Sequence, residues 1–295
     1  MNLRDLQYFV ALGETLHFGA AAERCHVSQP TLSAQLRKLE EYLGVTLFER
    51  RPRHVMLTAA GEELLPRARQ IVIDAEQLRD AARRRRDPLE GNLRLGLIPT
   101  IAPYLLPRIA TPLRKSLPKL AIKVIEQKTD ALLEALHQGQ IDMAVLALPV
   151  SGTGLVSRSL YAESFLVALP RRHPLAVRRR LRMRDLQGEN LLLLDEGHCL
   201  RDQALELCRS VGVDEASDLR ATSLETLRQM VAAGLGVTLM PRLACEGVLA
   251  GAKGLVYRPF APPAPQRSIG AMWIRSSSRV VAIDALCELV SGAAQ

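Results

Sequence analysis

Residues 17–44 read HFGAAAERCHVSQPTLSAQLRKLEEYLG. The three alanines near the start predict a short helix whose small side chains let a second helix approach closely. After a turn, Ser28 is in position to cap that second helix, on which Leu32, Leu36, Leu39 and Leu43 recur along one face. The other face carries side chains that can bond base edges in a major groove, namely Gln29, Thr31, Ser33 and Arg37. The pattern predicts a helix-turn-helix module that binds DNA, with an ordinary amphipathic helix as the alternative.

The residues that follow decide between these two interpretations. Residues 17–65 resemble the LysR-type transcriptional regulators over their whole length, through the motifs Ser28-Gln-Pro, Leu43-Gly44, Leu47-Phe48, Leu57-Thr58 and Ala60-Gly61. The resemblance implies a winged helix-turn-helix over residues 1–58. It also implies that bases are contacted by Gln29, Pro30, Thr31, Ser33 and Arg37. On the wing, Arg50 and Arg53 would contact the DNA backbone or the minor groove. Cys25 stands at an apolar position of the pattern, so we interpret it as a core residue.

A long helix is predicted after Thr58, a plausible cap, over residues 59–87. Its apolar residues have the alternating spacing of four and three that is typical of a coiled-coil seam, and they are Leu64, Ala68, Ile71, Ala75, Leu78 and Ala82. Pro66 should bend the helix near its start, and residues 88–91 form the hinge that follows it. The seam predicts a dimer, unless it packs on the chain's own sensor domain.

Residues 92–295 alternate short apolar runs with helical stretches, which predicts an α/β domain with a largely parallel sheet. Strands are predicted over 93–98, 121–126, 143–148, 165–170, 191–194, 236–240 and 269–273, and helices over 103–116, 130–138 and 200–211. The LysR resemblance continues through Gly139-Gln-Ile-Asp142. It implies two Rossmann-like lobes like those of periplasmic binding proteins, with lobe I over 92–162 and 265–295 and lobe II over 163–264.

Composition narrows the class of protein. The net charge of +8 suits a polyanionic partner; the basic runs at 83–86 and 171–184 are interpreted as solvated faces. The five cysteines are irregularly spaced, so they fit neither a secreted disulfide framework nor a zinc site, and we expect no metal and no cofactor. No apolar run approaches the roughly 20 residues that span a bilayer, and no secretory signal is recognisable. A cytoplasmic protein without a membrane partner is expected.

Two of the cysteines, Cys199 and Cys208, lie nine positions apart in a stretch with helical patterning. A rise of about 1.5 Å per residue would place their Cα atoms roughly 13 Å apart, whereas a disulfide requires about 4.4 to 6.8 Å. The pair can therefore close only if the segment refolds. At a helix start, with His198 and Arg201 nearby, Cys199 would be favoured as a thiolate, although both cysteines could also be small buried core residues.

The motif around this pair is more specific than the spacing. Residues 195–208, which read DEGHCLRDQALELC, together with 97–100, 103–107 and 220–228, closely resemble the peroxide-sensing members of the LysR family. The resemblance implies that hydrogen peroxide oxidises Cys199 to a sulfenic acid and that Cys208 resolves it as a disulfide.

The same resemblance implies a peroxide pocket formed by Thr100, Thr129, His198 and Asp202. Taken alone, Thr129 is better explained as the cap of the helix that begins at Asp130, and the two roles can coexist. This chain departs from the pattern at two places, with Asp218 where a histidine is expected and Gln266 where an arginine would stabilise the thiolate, although Arg267 follows.

These features predict a peroxide-activated transcription factor that controls oxidative-stress defence genes. It would bind a two-fold symmetric operator in double-stranded DNA as a homodimer or dimer of dimers, the latter a homotetramer, and contact RNA polymerase. A LysR-type regulator that answers a small metabolite in the cleft between the lobes is the alternative. A cysteine enzyme is disfavoured, because it would leave the recognition helix unexplained.

Overall fold

The computed structural model describes residues 1–51, 54–84, 87–209, 220–246 and 253–293 of the chain. They belong to two compact units, Met1–Arg86 and Asp87–Gln295. The amino-terminal unit consists of helices α1 Leu3–Thr15, α2 Phe18–Arg24 and α3 Gln29–Leu43, strands β1 Phe48–Arg51 and β2 His54–Leu57, and helix α4 Ala59–Arg84.

The first three helices form the predicted helix-turn-helix around one small core. Ser28 caps α3 as predicted, with its hydroxyl accepting from the N–H of Thr31 at 3.3 Å. Leu32, Leu36 and Leu39 are buried, which confirms the apolar face of the recognition helix. This burial holds α3 in a fixed orientation and leaves its polar face outward.

The wing is the antiparallel pair of β1 and β2, with Phe48 opposite Leu57. The Glu40 carboxylate of α3 accepts from the backbone N–H of Leu47 at 2.8 Å and of Phe48 at 3.2 Å. Gly61 lets α4 approach the same strand, because a Cβ there would lie 2.2 Å from the Leu47 carbonyl oxygen. Hydrogen bonds therefore join the recognition helix to the start of the wing, and close packing at Gly61 joins the start of α4 to the same place.

Helix α4 begins where the sequence predicts. The Thr58 hydroxyl accepts from the N–H of Gly61 at 3.0 Å, which confirms Thr58 as the cap. Pro66 lies inside the helix, which continues to Arg84. Of the predicted seam, Ala68 is buried, whereas the side chains of Ile71 and Leu78 are exposed.

The second unit combines mixed strands and helices, which confirms the α/β class. Its strands are β3 Gly91–Leu97, β4 Leu120–Glu126, β5 Met143–Leu148, β6 Leu155–Pro170, β7 Leu193–Leu194, β8 Arg220–Ala221, β9 Thr238–Pro241, β10 Leu255–Pro259 and β11 Gln266–Ile274. Its helices are α5 Ala102–Ser116, α6 Thr129–His137, α7 Cys199–Arg209, α8 Leu224–Ala232 and α9 Val280–Ala293. A short 3-10 helix, Arg242–Cys245, follows β9.

The main sheet has the strand order β10-β6-β11-β5-β3-β4, with β9 also pairing with β6. Strand β3 pairs in parallel with β4 and β5, whereas β6 and β11 pair antiparallel with their neighbours. The expectation of a largely parallel sheet is therefore wrong for this half, because β6 and β11 run back along the sheet. Strands β7 and β8 form a separate parallel pair, in which β7 precedes α7 and β8 precedes α8 in the chain.

Strand β6 is the element that both halves of the sheet share. Its first part pairs with β11 as far as Ser164, and its last part, from Phe165, pairs with β9 and β10. The predicted strand over 165–170 is only the second part of it, and β10 and α9 were not predicted. No helix within the described ranges combines the length and the apolar content that crossing a bilayer requires.

Candidate functional site

The two cysteines of the motif lie on one continuous helix, α7, which begins at Cys199 and still contains Cys208. Both are free thiols. The helix packs on the core through Leu200, Ala204 and Leu205. The predicted helix through the pair is therefore confirmed, and a rise of about 1.5 Å per residue gives roughly 13 Å between the two Cα atoms along its axis.

The two thiols have different environments. Cys199 is half-buried and is the first residue of α7. Cys208 is fully buried, and burial raises the pKa of its thiol to about 11. In this conformation, Cys199 is the more accessible of the two thiols and Cys208 stays protonated.

The residue before Cys199 is buried as well. Burial lowers the pKa of His198, and the nearby Lys128 ammonium lowers it further while Asp195 opposes this effect. The imidazole is therefore neutral at neutral pH, so one ring nitrogen can donate a hydrogen bond and the other can accept one. Its backbone carbonyl accepts from the N–H of Arg201 at 2.8 Å, which begins the helix.

Thr100 follows strand β3 and is buried beside an arginine. Arg267 Nη1 donates to Thr100 Oγ1 at 3.1 Å, and Nη2 donates to the Thr100 carbonyl at 3.3 Å. Arg267 is itself held by Glu163, whose Oε2 accepts from Nε at 2.8 Å and lies 2.7 Å from Nη2. Gln266, where the sequence pattern calls for an arginine, is exposed at the start of β11. Arg267 is thus an arginine whose guanidinium contacts Thr100, one of the predicted pocket residues.

Thr129 is the first residue of α6, and the residue in the cap position is Lys128. The interpretation of Thr129 as a helix cap is therefore wrong. Its hydroxyl is buried, and within the described part of the chain it has no hydrogen-bond partner. Such a group is costly to bury, so a hydroxyl in this position is available to a small polar ligand.

The loop before Cys199 contacts the start of α6. Lys128 Nζ donates to the Glu196 carbonyl at 2.7 Å. Gly197 has a φ of +82°, and a Cβ there would lie 3.1 Å from Lys128 Cδ, so this close contact favours glycine. Because β3 and β4 are parallel neighbours, Thr100 and Thr129 follow the same edge of the sheet, and Lys128 joins this edge to the cysteine loop.

Two of the predicted site residues stand apart from this arrangement. Asp202 is exposed on the first turn of α7, and the structure does not bury it with the other pocket residues. Asp218 lies outside the described residues. The sequence prediction missed Glu163 and the contact of Arg267 with Thr100; the signal that could have found them is Arg267 in phase with Ile269 on a buried strand.

Six of the seven predicted DNA-binding residues lie on α3 or on β1. Gln29, Pro30, Thr31 and Arg37 are exposed, whereas Ser33 is half-buried. Arg50 lies on β1, opposite Val55. Arg53 lies outside the described residues. A cluster of three or more His, Cys, Asp or Glu side chains that could hold a metal is not found in the described ranges.

Comparison with known proteins places both units in one family. Residues 3–62 match the family of bacterial regulatory helix-turn-helix proteins of the lysR type, and residues 86–295 match the LysR substrate binding domain. The chain belongs to the LysR family. The resemblance seen in the sequence is confirmed, and so is the combination of a DNA-binding module with an α/β sensor domain.

Among LysR-family proteins, this chain is similar to regulators that bear the name OxyR. It is 47% identical over 273 residues to the Escherichia coli DNA-binding transcriptional dual regulator OxyR, which covers 92% of this chain and 89% of that protein. A full-length cysteine variant of Pseudomonas aeruginosa OxyR superposes with a TM-score of 0.72 at 37% identity, covering 99% of this chain and 98% of the other. A mutant of Corynebacterium glutamicum OxyR with hydrogen peroxide bound gives 0.70 at 38% identity, covering 100% and 92%.

The different environments of the two thiols predict a difference in alkylation rate. In the native, reduced LysR-family chain, iodoacetamide should modify Cys199 readily and Cys208 very slowly. A rise of the Cys208 pKa from 9.0 to about 11 lowers its thiolate fraction about 100-fold, and burial slows access further. Peptide mass spectrometry after timed labelling at mildly alkaline pH measures both rates.

Cys287 provides the matched control, because it is also fully buried and its pKa is also raised to about 11. It should react as slowly as Cys208, and urea should bring both to the rate of Cys199. Equal rates for Cys199 and Cys208 in the folded protein would contradict this account of the site.

Proposed function

We propose that this chain is a transcription regulator activated by hydrogen peroxide through a thiol-disulfide switch between Cys199 and Cys208. The observation that carries the proposal is the placement of the two thiols on α7, one half-exposed at its start and one fully buried near its end. The similarity to OxyR proteins from several bacteria supports the chemistry, and the exposed face of α3 supports DNA as the partner.

The first step is oxidation of Cys199. Its thiolate sulfur attacks one oxygen of hydrogen peroxide, so that an S–O bond forms and the O–O bond breaks. The departing hydroxide takes a proton and leaves as water, and sulfur is oxidised while peroxide is reduced. Cys199 is half-buried at the start of α7, so peroxide can reach its sulfur while the helix is intact.

The surrounding side chains would position the peroxide. The buried Thr129 hydroxyl is available to donate or accept a hydrogen bond, and the neutral His198 ring can do either. Thr100 is oriented by Arg267, whose positive charge lies beside it. Asp202, exposed on the first turn of α7, is proposed to join the pocket when α7 moves.

The second step is resolution by Cys208. Its sulfur attacks the sulfenic sulfur of Cys199, an S–S bond forms, and the oxygen leaves as water with the protons of the two groups. The thiols are separated by nearly the length of α7, so the helix has to open before this step. Opening also exposes Cys208 to water, which removes the burial that raises its pKa.

The proposed domain organisation follows the sequence boundaries. Residues 1–58 bind DNA, 59–87 form a dimerisation helix, 88–91 act as a hinge, and 92–295 sense peroxide in two lobes, 92–162 with 265–295 and 163–264. The exposed Ile71 and Leu78 of α4 support a helix-to-helix dimer. Two-fold symmetric DNA would then match a homodimer or a homotetramer.

The regulator is proposed to bind operator bases through α3 and the DNA backbone through the wing. The base-reading residues would be Gln29, Pro30, Thr31, Ser33 and Arg37, and the wing residues Arg50 and Arg53. It would act in the cytoplasm by contacting RNA polymerase. It would consume peroxide once per reduction cycle, without metal or cofactor, and so would not be an enzyme.

Replacing Cys199 with serine should abolish the transcriptional response to peroxide, because a serine hydroxyl is not oxidised under these conditions. Cys208→Ser should still form a sulfenic acid, detectable by dimedone labelling, but no intramolecular disulfide. A reporter gene under a responsive promoter measures induction.

Cys25→Ser is the control, because Cys25 is half-buried in the DNA-binding unit and takes no part in the switch. It should keep full induction. Full induction by Cys199→Ser would refute the proposed function.

Oxidation should open helix α7. Amides in its second half are hydrogen-bonded in the reduced protein, so their hydrogen exchange should accelerate at least about tenfold after one equivalent of peroxide. Exchange measured by mass spectrometry on peptides that contain residues 200–209 reports this change. The Cys199→Ser protein should show no acceleration, and a disulfide formed with α7 still protected would contradict the mechanism.

Arg37→Ala should reduce discrimination between operator and random DNA by about 1 to 3 kcal/mol, since an exposed arginine on a recognition helix can bond guanine with two N–H groups. Arg53→Ala should instead weaken both duplexes alike, as expected of a contact with the DNA backbone, and lower the salt dependence by about one phosphate contact. Fluorescence anisotropy at several salt concentrations separates these effects. An equal loss on both duplexes for Arg37→Ala would remove it from base reading.

A further inference from the structure

A second polar cavity lies in the sensor unit, on the Glu163 side of the Arg267–Glu163 pair. It has a volume of about 420 Å³ and is lined mainly by Arg108 of α5, Tyr161 and Glu163 of β6, and Arg242 and Glu246 after β9. We call it the arginine cavity. It lies where β6 leaves β11 and begins to pair with β9, so its walls come from both halves of the sheet.

The charges that line this cavity do not balance. Arg108 Nη2 donates to Glu246 Oε2 at 2.8 Å, and Arg242 Nε donates to Glu246 Oε1 at 2.6 Å. The hydrogen bond from Arg242, and then that from Arg108, holds the pKa of Glu246 below its usual range. The carboxylate of Glu163 is matched by Arg267 behind it. Two guanidiniums therefore share one carboxylate, and the cavity has an excess of one positive charge.

The cavity also contains unused hydrogen-bond donors. A guanidinium has five N–H groups, and each of the two arginines donates one of them to Glu246. The Tyr161 hydroxyl is buried without a partner among the residues that the structure describes. Burial, and then the nearby Glu163 carboxylate, raises the pKa of Tyr161, so this hydroxyl keeps its proton. A buried donor of this kind favours an acceptor that a ligand would bring.

We propose that the arginine cavity binds a small monocarboxylate. One negative charge would neutralise the excess positive charge, and a carboxylate oxygen accepts from guanidinium and phenol groups alike. An adjoining cavity of about 600 Å³ shares Ser164, Arg242 and Glu246 and has Phe165, Leu166 and Phe260 among its walls. The apolar chain of the ligand would lie there, with its carboxylate between the arginines.

The ligand would also act on the peroxide pocket, a step that rests on the proposed function. The Glu163 side chain connects the arginine cavity, which it lines, to the peroxide pocket. Its Oε1 accepts from the N–H of Leu243, beside Arg242, at 2.7 Å, and its Oε2 holds Arg267, which donates to Thr100. A carboxylate that draws Arg242 and Arg108 together would shift this chain of contacts, and a regulator built in this way would adjust its peroxide sensitivity to a metabolite.

Calorimetric titration of the reduced full-length protein with butyrate tests the binding. Butyrate should bind saturably in the millimolar range, hexanoate should bind more tightly, and the neutral analogue butyramide should not bind. Arg108→Gln and Arg242→Gln should each weaken butyrate binding about tenfold through loss of a charge-assisted hydrogen bond, and Tyr161→Phe should weaken it several-fold. Arg114→Gln, an exposed arginine on the same helix as Arg108, should leave it unchanged.

No saturable heat with butyrate, equal binding of butyramide, or unchanged affinity in both Arg108→Gln and Arg242→Gln would overturn the proposed site. These titrations involve no peroxide, so they stand whether or not Cys199 proves to be a sensor. The thermal unfolding midpoint of each variant identifies loss of folding, and Tyr161→Phe, which preserves the ring, then carries the test.

The rate of Cys199 oxidation by hydrogen peroxide tests the link between the two sites. Saturating butyrate should change this rate at least about twofold in the unmodified protein and should have no effect on Arg108→Gln. An unchanged rate in the unmodified protein at saturation would overturn the regulatory link.

Discussion

The buried ion pair of Arg267 and Glu163 is the interaction on which the sensor unit depends. It joins β11 to β6 near the point where β6 changes partners, and its remaining hydrogen bonds reach Thr100 and the backbone of Leu243. Removing either charge would leave the other buried and uncompensated, at a cost of about 3 to 5 kcal/mol. A buried pair adds little stability over an apolar pair of similar size, so we interpret it as a device that fixes position.

Helix α7 imposes a second constraint, because one element determines the chemistry of both thiols. At its start the sulfur of Cys199 is half-exposed, and near its end the core excludes water from Cys208. The helix that keeps the cysteines apart therefore also gives them different access to solvent. In the proposed switch this fixes the order of events: oxidation of Cys199 would take place while the helix is intact, and resolution by Cys208 only after it opens.

The sequence predicted much of this because its local signals were strong. The caps at Ser28 and Thr58, the apolar face of α3 and the strand over 143–148 all follow from patterns within a few residues of each other. The first part of β6, which contains Ser157, Arg158 and Glu163, has no strand alternation, and its pairing with β11 is a contact between distant parts of the chain. Such pairing overrides local preference, so neither the antiparallel half of the sheet nor the arginine cavity could be predicted.

The wrong cap assignment at Thr129 and the departure from the family pattern at Gln266 have separate physical explanations. Thr129 lies one position inside α6, because the chain turns into the helix at Lys128, and cap positions are the least certain feature of a helical pattern. Gln266 and Arg267 differ by one residue on a strand, where neighbouring side chains point to opposite faces. A slip of one residue therefore exchanges a solvent-facing amide for a buried guanidinium.

The two hydrogen bonds that the Glu40 carboxylate accepts from the N–H groups of Leu47 and Phe48 constrain how the amino-terminal unit can move. They bond the recognition helix to the wing through a single side chain, inside a unit whose core is complete. In the proposed regulator, the helix and the wing of one copy would turn as one piece on the duplex. The bases read at each half-site would be set by α3, and signals from the sensor would alter only the distance and the rotation between one copy and the next.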